Sequence, residues 1–374
     1  MKEDRFDSAQ LRALCAVCLL SPALRFCPAA GIAAAGRAAW LSMLAALPLL
    51  LLYALFLRRF LACRAEGEGL AELCGRAVSP RASRPLLLAL ALYHAFYAAF
   101  ILRAGAERFI TTIYPHGDPA VFILVLGLAA ALAALGPSRT LVRTAKLVLP
   151  LLVGTLALIL FTALLSARWE NLLPVTGQDL PSLLRGGLPA VDVLAAMLVL
   201  GAFLAGQTPA GSARDGGWFR FLAVAALFLS LLNAAILVSF GADLAARLTR
   251  PFFSLVRNLV FFRSVERVEA LVVTLWVFPD FLLVSAALFI SQRCLRLALG
   301  KNAPWQGERL FSLRRGRWLI PPCALCAVLA ALWMAPDQKT FLFLSDRLIP
   351  ALNLGIALLA LPTVYAVGKR AGRI

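Results

Sequence analysis

Histidine is almost absent: 374 residues include two, His94 and His116. That scarcity removes the commonest general base and metal ligand. The eight cysteines do not make up the lack. Two C-x-x-C pairs, Cys15/Cys18 and Cys323/Cys326, lie inside apolar runs. A zinc site there would need thiolates in hydrocarbon, so these cysteines are read as small packing residues. No nucleophile–base set or metal cluster is apparent, so neither an enzyme nor a cofactor is expected. Acidic residues are also few, 19 against 37 basic, for a net charge of +18. The surplus would suit nucleic acid, but Lys and Arg collect in short loops between apolar runs. That is the pattern of membrane orientation, and no nucleic-acid partner is expected.

What the chain has in quantity is apolar surface. Hydrophobic residues make up 61% of it, and the mean hydropathy is +0.85. These values belong to a polytopic membrane protein in contact with lipid, read here as one domain over residues 1–374. Ten apolar runs are long enough to cross a bilayer, at about 11–35, 40–57, 86–104, 119–135, 140–165, 188–206, 218–240, 270–288, 318–334 and 348–367. No evident cleavage site follows the first run, so no removable signal peptide is read. If the N-terminus is cytoplasmic, 24 of the 37 basic residues fall on that side, and both termini are expected there. Residues 247–262, basic and aromatic, read as a surface or re-entrant amphipathic segment.

Some crossings carry features that a plain lipid-facing helix avoids. The first contains Ser21-Pro22, Arg25, Cys27-Pro28 and Gly31; the sixth contains Asp192, Gly201 and Gly206. Both are expected to be interrupted, and a matched pair of interruptions points to a binding site in inverted-repeat transporters. Amides freed at Ala23, Leu24 and Gly201 would then meet a ligand carboxylate, helped by Arg25. Tyr97, Phe203 and Thr274 would line its other end. Tyr93, His94 and Tyr97 on the third crossing either line a pocket or satisfy one another, and Arg103, Glu107 and Arg108 form a charge cluster at its end. The eighth, within 263–288, carries Pro279 and then Asp280. A kink is expected there, with Asp280 either a buried structural acid or, like Asp192, an ion or proton relay.

Several stretches together resemble one family. Leu248-Thr249-Arg250-Pro251 leads through Arg257 to Glu266-Arg267-Val268-Glu269-Ala270 and Trp276-Val277. Supporting stretches are Pro28 with Ala39-Trp40-Leu41-Ser42, Gly136 through Arg143, and Asn171-Leu172-Leu173-Pro174-Val175. In this order they are similar to the GerAB family of endospore germination permeases, the B subunits of nutrient germinant receptors, within the amino acid–polyamine–organocation superfamily. The resemblance implies an all-α membrane bundle of about ten transmembrane helices. Its fold would be a LeuT-like 5+5 inverted repeat with helices 1 and 6 broken around a small-molecule site. It also implies a spore inner-membrane receptor, with a membrane A subunit and a lipoprotein C subunit as partners and a small nutrient as ligand. Arg25 departs from a plain zwitterion site: it either pairs a substrate carboxylate, or snorkels, or pairs with Asp280 or Asp192. An ion- or proton-coupled secondary amino acid transporter is the alternative reading.

Overall fold

A computed structural model of the chain describes residues 6–65, 67–112, 116–165, 167–209, 216–258, 272, 274–300 and 317–374. The described residues form helices and connecting loops, with no strand among them. In hydrocarbon an α-helix satisfies its own backbone, which leaves side chains free to decide packing.

The chain begins with α1, Ser8–Ala35, whose N-terminus is fixed by a capping box between Asp7 and Gln10. It turns at Gly36, where φ is +53°, a conformation that favours glycine. The second crossing is built from α2, Ala39–Ala45, and α3, Leu47–Ala62. A short helix α4, Leu70–Ala77, then leads into α5, Pro80–Thr112. Next come α6, Pro119–Leu135, capped by Asp118, and α7, Ser138–Leu165. The central helix α8, Leu180–Leu204, continues as a 3₁₀ turn over Ala205–Gln207. After α9, Gly217–Phe240, two short helices follow, α10, Ala242–Arg247, and α11, Pro251–Asn258. The last crossings are α12, Val277–Ala298, α13, Ile320–Trp333, and α14, Gln338–Arg370. Two π-helical stretches, Leu344–Leu348 and Gly355–Ala360, interrupt α14 on either side of Asn353.

Among the described residues seven helical stretches are long and apolar enough to cross a membrane, the first, Ser8–Ala62, covering two of the ten apolar runs, and the shorter apolar helices Pro119–Leu135 and Ile320–Trp333 stand at two more, so helices occupy all ten runs. The residues 263–271 that carry the family-like acidic–basic signature, and the basic residues 301–315, lie outside those described. Burial follows composition. From Ala190 to Leu204 helix α8 is buried on every face and apolar apart from Asp192, packed against α1, α2 and α3; α7 leaves Leu147, Leu151, Phe161 and Leu165 on the lipid side. Helix α12 packs along α5, and α1 lies between α8 and α12. Phe6 N–H donates to the Gln207 carbonyl, and Gly368 lies against Ala77, so both chain ends sit at one end of the bundle.

Two local expectations are corrected. Helix α1 runs unbroken through Pro22 and Pro28. Each proline removes one donor, which packing against neighbouring helices tolerates in a membrane bundle. The amides of Ala23 and Leu24 are therefore part of the helix and not free. Helix α8 likewise continues through Gly201, so that amide is not free either. Its glycines serve close packing. A Cβ at Gly201 would lie 2.7 Å from the Trp218 ring, and one at Gly206 would lie 2.7 Å from the Gly69 backbone nitrogen. At Pro279 the expected interruption is present: helical residues 274–275 precede α12, and a turn at Trp276 separates them from it, three residues before the proline. Of the two readings of residues 247–262, surface or re-entrant, the described part fits the second: Phe252 of α11 is fully buried, its ring 5.4 Å from that of Trp276.

Candidate functional site

A cavity of about 520 Å³ lies between α1, α8, the α10–α11 connection and the first half of α14. Its lining includes Arg185 in the second turn of α8, Gln338 in the first turn of α14 and residues 248–250, so it reaches the end of the bundle opposite the chain termini. Two of the sequence candidates face it, Arg25 from α1 and Asp192 from α8. They are 7% and 4% exposed. Both terminal nitrogens of Arg25 and Oδ1 of Asp192 have no hydrogen-bond partner among the described residues. Nor do the two side chains pair with each other. Burial of a charged group is costly unless something compensates it, so these two groups stand out on the cavity wall.

The cavity wall is set by neighbouring rings. Phe26 stacks on Phe100 at 6.0 Å, and Phe100 stacks on Phe341 at 5.9 Å. Phe26 and Phe341 both line the cavity, and the Arg25 guanidinium lies 5.5 Å from the Phe26 ring centre. Opposite them, the Asn353 amide lies within reach of the Asp192 carboxylate. Tyr93 donates a 2.5 Å hydrogen bond to Asn353 Oδ1. Tyr93 in turn stacks on Tyr97 at 6.0 Å and meets His94 edge-on. A chain of polar contacts thus fixes Asp192 from behind, on α5 and α14. At the mouth, Arg250 bridges to Glu107 at 3.7 Å and donates to the Thr111 hydroxyl at 2.5 Å, tying the α10–α11 connection to α5.

The other candidates fall elsewhere. Asp280 is fully buried; it accepts from Arg108 and from the Ser21 hydroxyl. Ala23 and Leu24 are buried inside the helix contacts of α1. Phe203 packs edge-on to His94 at 4.8 Å, and Tyr97 lies behind Tyr93, so neither lines the cavity. Gly201 lines a separate small pocket beside Trp218, and Thr274 is exposed. Sequence reasoning missed Phe26, Phe341 and Asn353. Asn353 carried a signal: it is the one amide in the apolar run 349–361.

Among the described residues a bundle of membrane-length helices, with a cavity reached from one end and a charged residue on each facing helix, defines a transporter-like membrane protein. Its fold is LeuT-like: a Na+-coupled sialic acid symporter, solved in a substrate-bound outward-open state, superposes with a TM-score of 0.63 at 14% identity, over 95% of this chain and 79% of that one. The chain belongs to the spore germination protein family, whose pattern matches residues 5–339. No curated protein matches it in sequence.

Proposed function

We propose that the chain is the membrane-embedded sensing subunit of a spore germinant receptor and binds a zwitterionic amino acid in the cavity between α1 and α8. The observation that carries this reading is a buried pair on one cavity, Arg25 with both terminal nitrogens and Asp192 with Oδ1 lacking a hydrogen-bond partner among the described residues. The ligand carboxylate meets Arg25, whose planar fork suits bidentate binding. The ammonium meets Asp192, and an apolar side chain rests against Phe26 and Phe341. Ligand affinity that differs between two packings of the bundle then shifts their populations. An A subunit and a lipoprotein C subunit in the spore inner membrane read that shift, with both chain termini on the cytoplasmic side. Membership in the germination family supports this setting.

The test is binding of single amino acids to purified chain by calorimetry, beside the dose–response of spores. Arg25→Gln is expected to abolish binding of the zwitterion, and Asp192→Asn to weaken it while sparing a ligand that lacks the ammonium. Unchanged dose–response in both variants would overturn the site.

A coupled secondary transporter is the second reading. Asp192 favours it, because a buried carboxyl on the cavity wall can take up and release a proton or hold a cation, and the fold is shared with a coupled symporter. Uptake by the isolated chain in proteoliposomes would select it. Dependence of the response on co-expressed partner subunits would select the receptor.

A further inference from the structure

A second concavity lies on the outside of the bundle, on the other side of α1 from the sensing cavity. It is a groove of about 580 Å³ between the first half of α1, the middle of α7 and the first half of α9. Helical spacing explains its shape. Ala9, Ala13 and Ala16 present a shallow face on α1, and the larger side chains of α7 and α9 stand on either side as walls. Along α1 the floor runs from Ala9 to Leu20, about 17 Å at 1.5 Å per residue. The length and the apolar walls suit a hydrocarbon chain.

One end of the groove is charged. Arg12 of α1 and Arg220 of α9 line it there, at the end of the bundle that holds both chain termini. Gly217 lets the Arg12 side chain lie flat against the start of α9, since a Cβ at that position would strike the guanidinium. Arg12 also donates to the Ser8 hydroxyl at 2.5 Å, which holds it in place. On α7, Lys146 is exposed and stands three residues before Leu149 and seven before Val153, which line the groove, so it shares their face. The charged rim is therefore basic on three helices and the trough below it is apolar.

We infer that this groove is a binding site for an anionic phospholipid of the surrounding membrane, with one acyl chain between α1, α7 and α9 and the phosphate at Arg220, Lys146 and Arg12. Basic pockets between membrane helices recognise such headgroups, and the apolar trough sets the depth at which the headgroup rests. The site is separate from the sensing cavity and does not depend on what that cavity binds.

The test uses the full chain, purified in detergent and offered equimolar phosphatidylglycerol and phosphatidylcholine with matched acyl chains. Native mass spectrometry counts the lipid retained. The wild-type chain is expected to retain phosphatidylglycerol over phosphatidylcholine by at least about 5-fold, the gain of one charge contact at a membrane surface. Arg220→Gln together with Lys146→Gln is expected to remove most of that preference, and Arg220→Lys to keep it. Ala225→Trp, which fills the trough and leaves the charges, is expected to lower retention of both lipids. Equal retention of the two lipids by the wild type would overturn the proposal, as would a preference untouched by the double charge variant. A dimer that forms only when phosphatidylglycerol is stripped off, with the groove as its contact, would assign the face to a second copy instead.

Discussion

Arg108 on α5 donates to the carboxylate of Asp280 on α12, 172 positions further along the chain, and the Ser21 hydroxyl of α1 donates to its other oxygen. Three helices are thereby joined through one acid that is fully buried. Gly105, one turn before Arg108, makes the approach possible, because a Cβ there would lie 2.9 Å from Asp280 Oδ2. Losing one partner of a buried pair leaves the other charge uncompensated, at about 3–5 kcal/mol. Arg108→Met is therefore expected to lower the unfolding midpoint sharply in detergent, and Arg108→Met with Asp280→Leu to recover much of the loss. If Asp280→Asn kept full stability while removing ion-dependent activity, the acid would be a relay and not a clamp.

Two glycines on the buried helix α8 differ in what would have to give. At Gly201 an added methyl meets the tip of the Trp218 ring, a side chain able to turn. At Gly206 it meets the backbone of residues 67–69. Overpacking costs about 1–3 kcal/mol where neighbours can shift. Gly201→Ala is expected in that range, with Gly206→Ala at its top or beyond, both read by thermal unfolding. Trp218→Leu should relieve the first and leave the second unchanged. Equal costs at the two positions would show that α8 moves as a unit and absorbs both.

The sequence made the crossings legible because length and apolar content alone decide which segments span a bilayer. The site was legible only in part. Arg25 and Asp192 stood out as charges in apolar runs, and the cavity brings both to one space. Prolines and glycines misled: a missing amide or missing Cβ in sequence does not say whether the helix breaks or a neighbour moves in. At Pro22 the helix runs on, and at Gly201 the Trp218 ring fills the space. The charge cluster at the end of α5 separates in the same way. Arg103 and Glu107 do pair four residues apart, at 2.9 Å, but Arg108 turns inward to Asp280. No local spacing encodes a partner on another helix.

The polar chain behind Asp192 has its own expected signature. Tyr93→Phe removes the donor that orients Asn353, a hydrogen bond worth about 1 kcal/mol to stability. Its larger effect should fall on ligand binding, because the Asn353 amide is then free to rotate away from Asp192. Calorimetry with the amino acid ligand is expected to show several-fold weaker binding in Tyr93→Phe, and a ligand lacking the ammonium should be unaffected. Equal weakening of both ligands would mean that Tyr93 acts on the cavity as a whole and not through Asp192.

The mouth of the cavity depends on a contact between loop and helix. Arg250 reaches Glu107 and Thr111 of α5, and Arg257 donates to the Thr111 carbonyl at 3.1 Å, so the α10–α11 segment is held down by its own arginines. A partly exposed ion pair of this kind is worth about 1 kcal/mol or less to global stability. Its local effect can be larger, since short helices with few backbone contacts open independently of the bundle. Arg250→Ala is therefore expected to leave the unfolding midpoint nearly unchanged while amides of residues 242–258 exchange several-fold faster. Ligand should exchange faster too, because the segment borders the way in. Unaltered protection across 242–258 would show that buried Phe252, Leu255 and Val256 hold the segment by packing alone, with Arg250 serving the cavity's charge and not its closure.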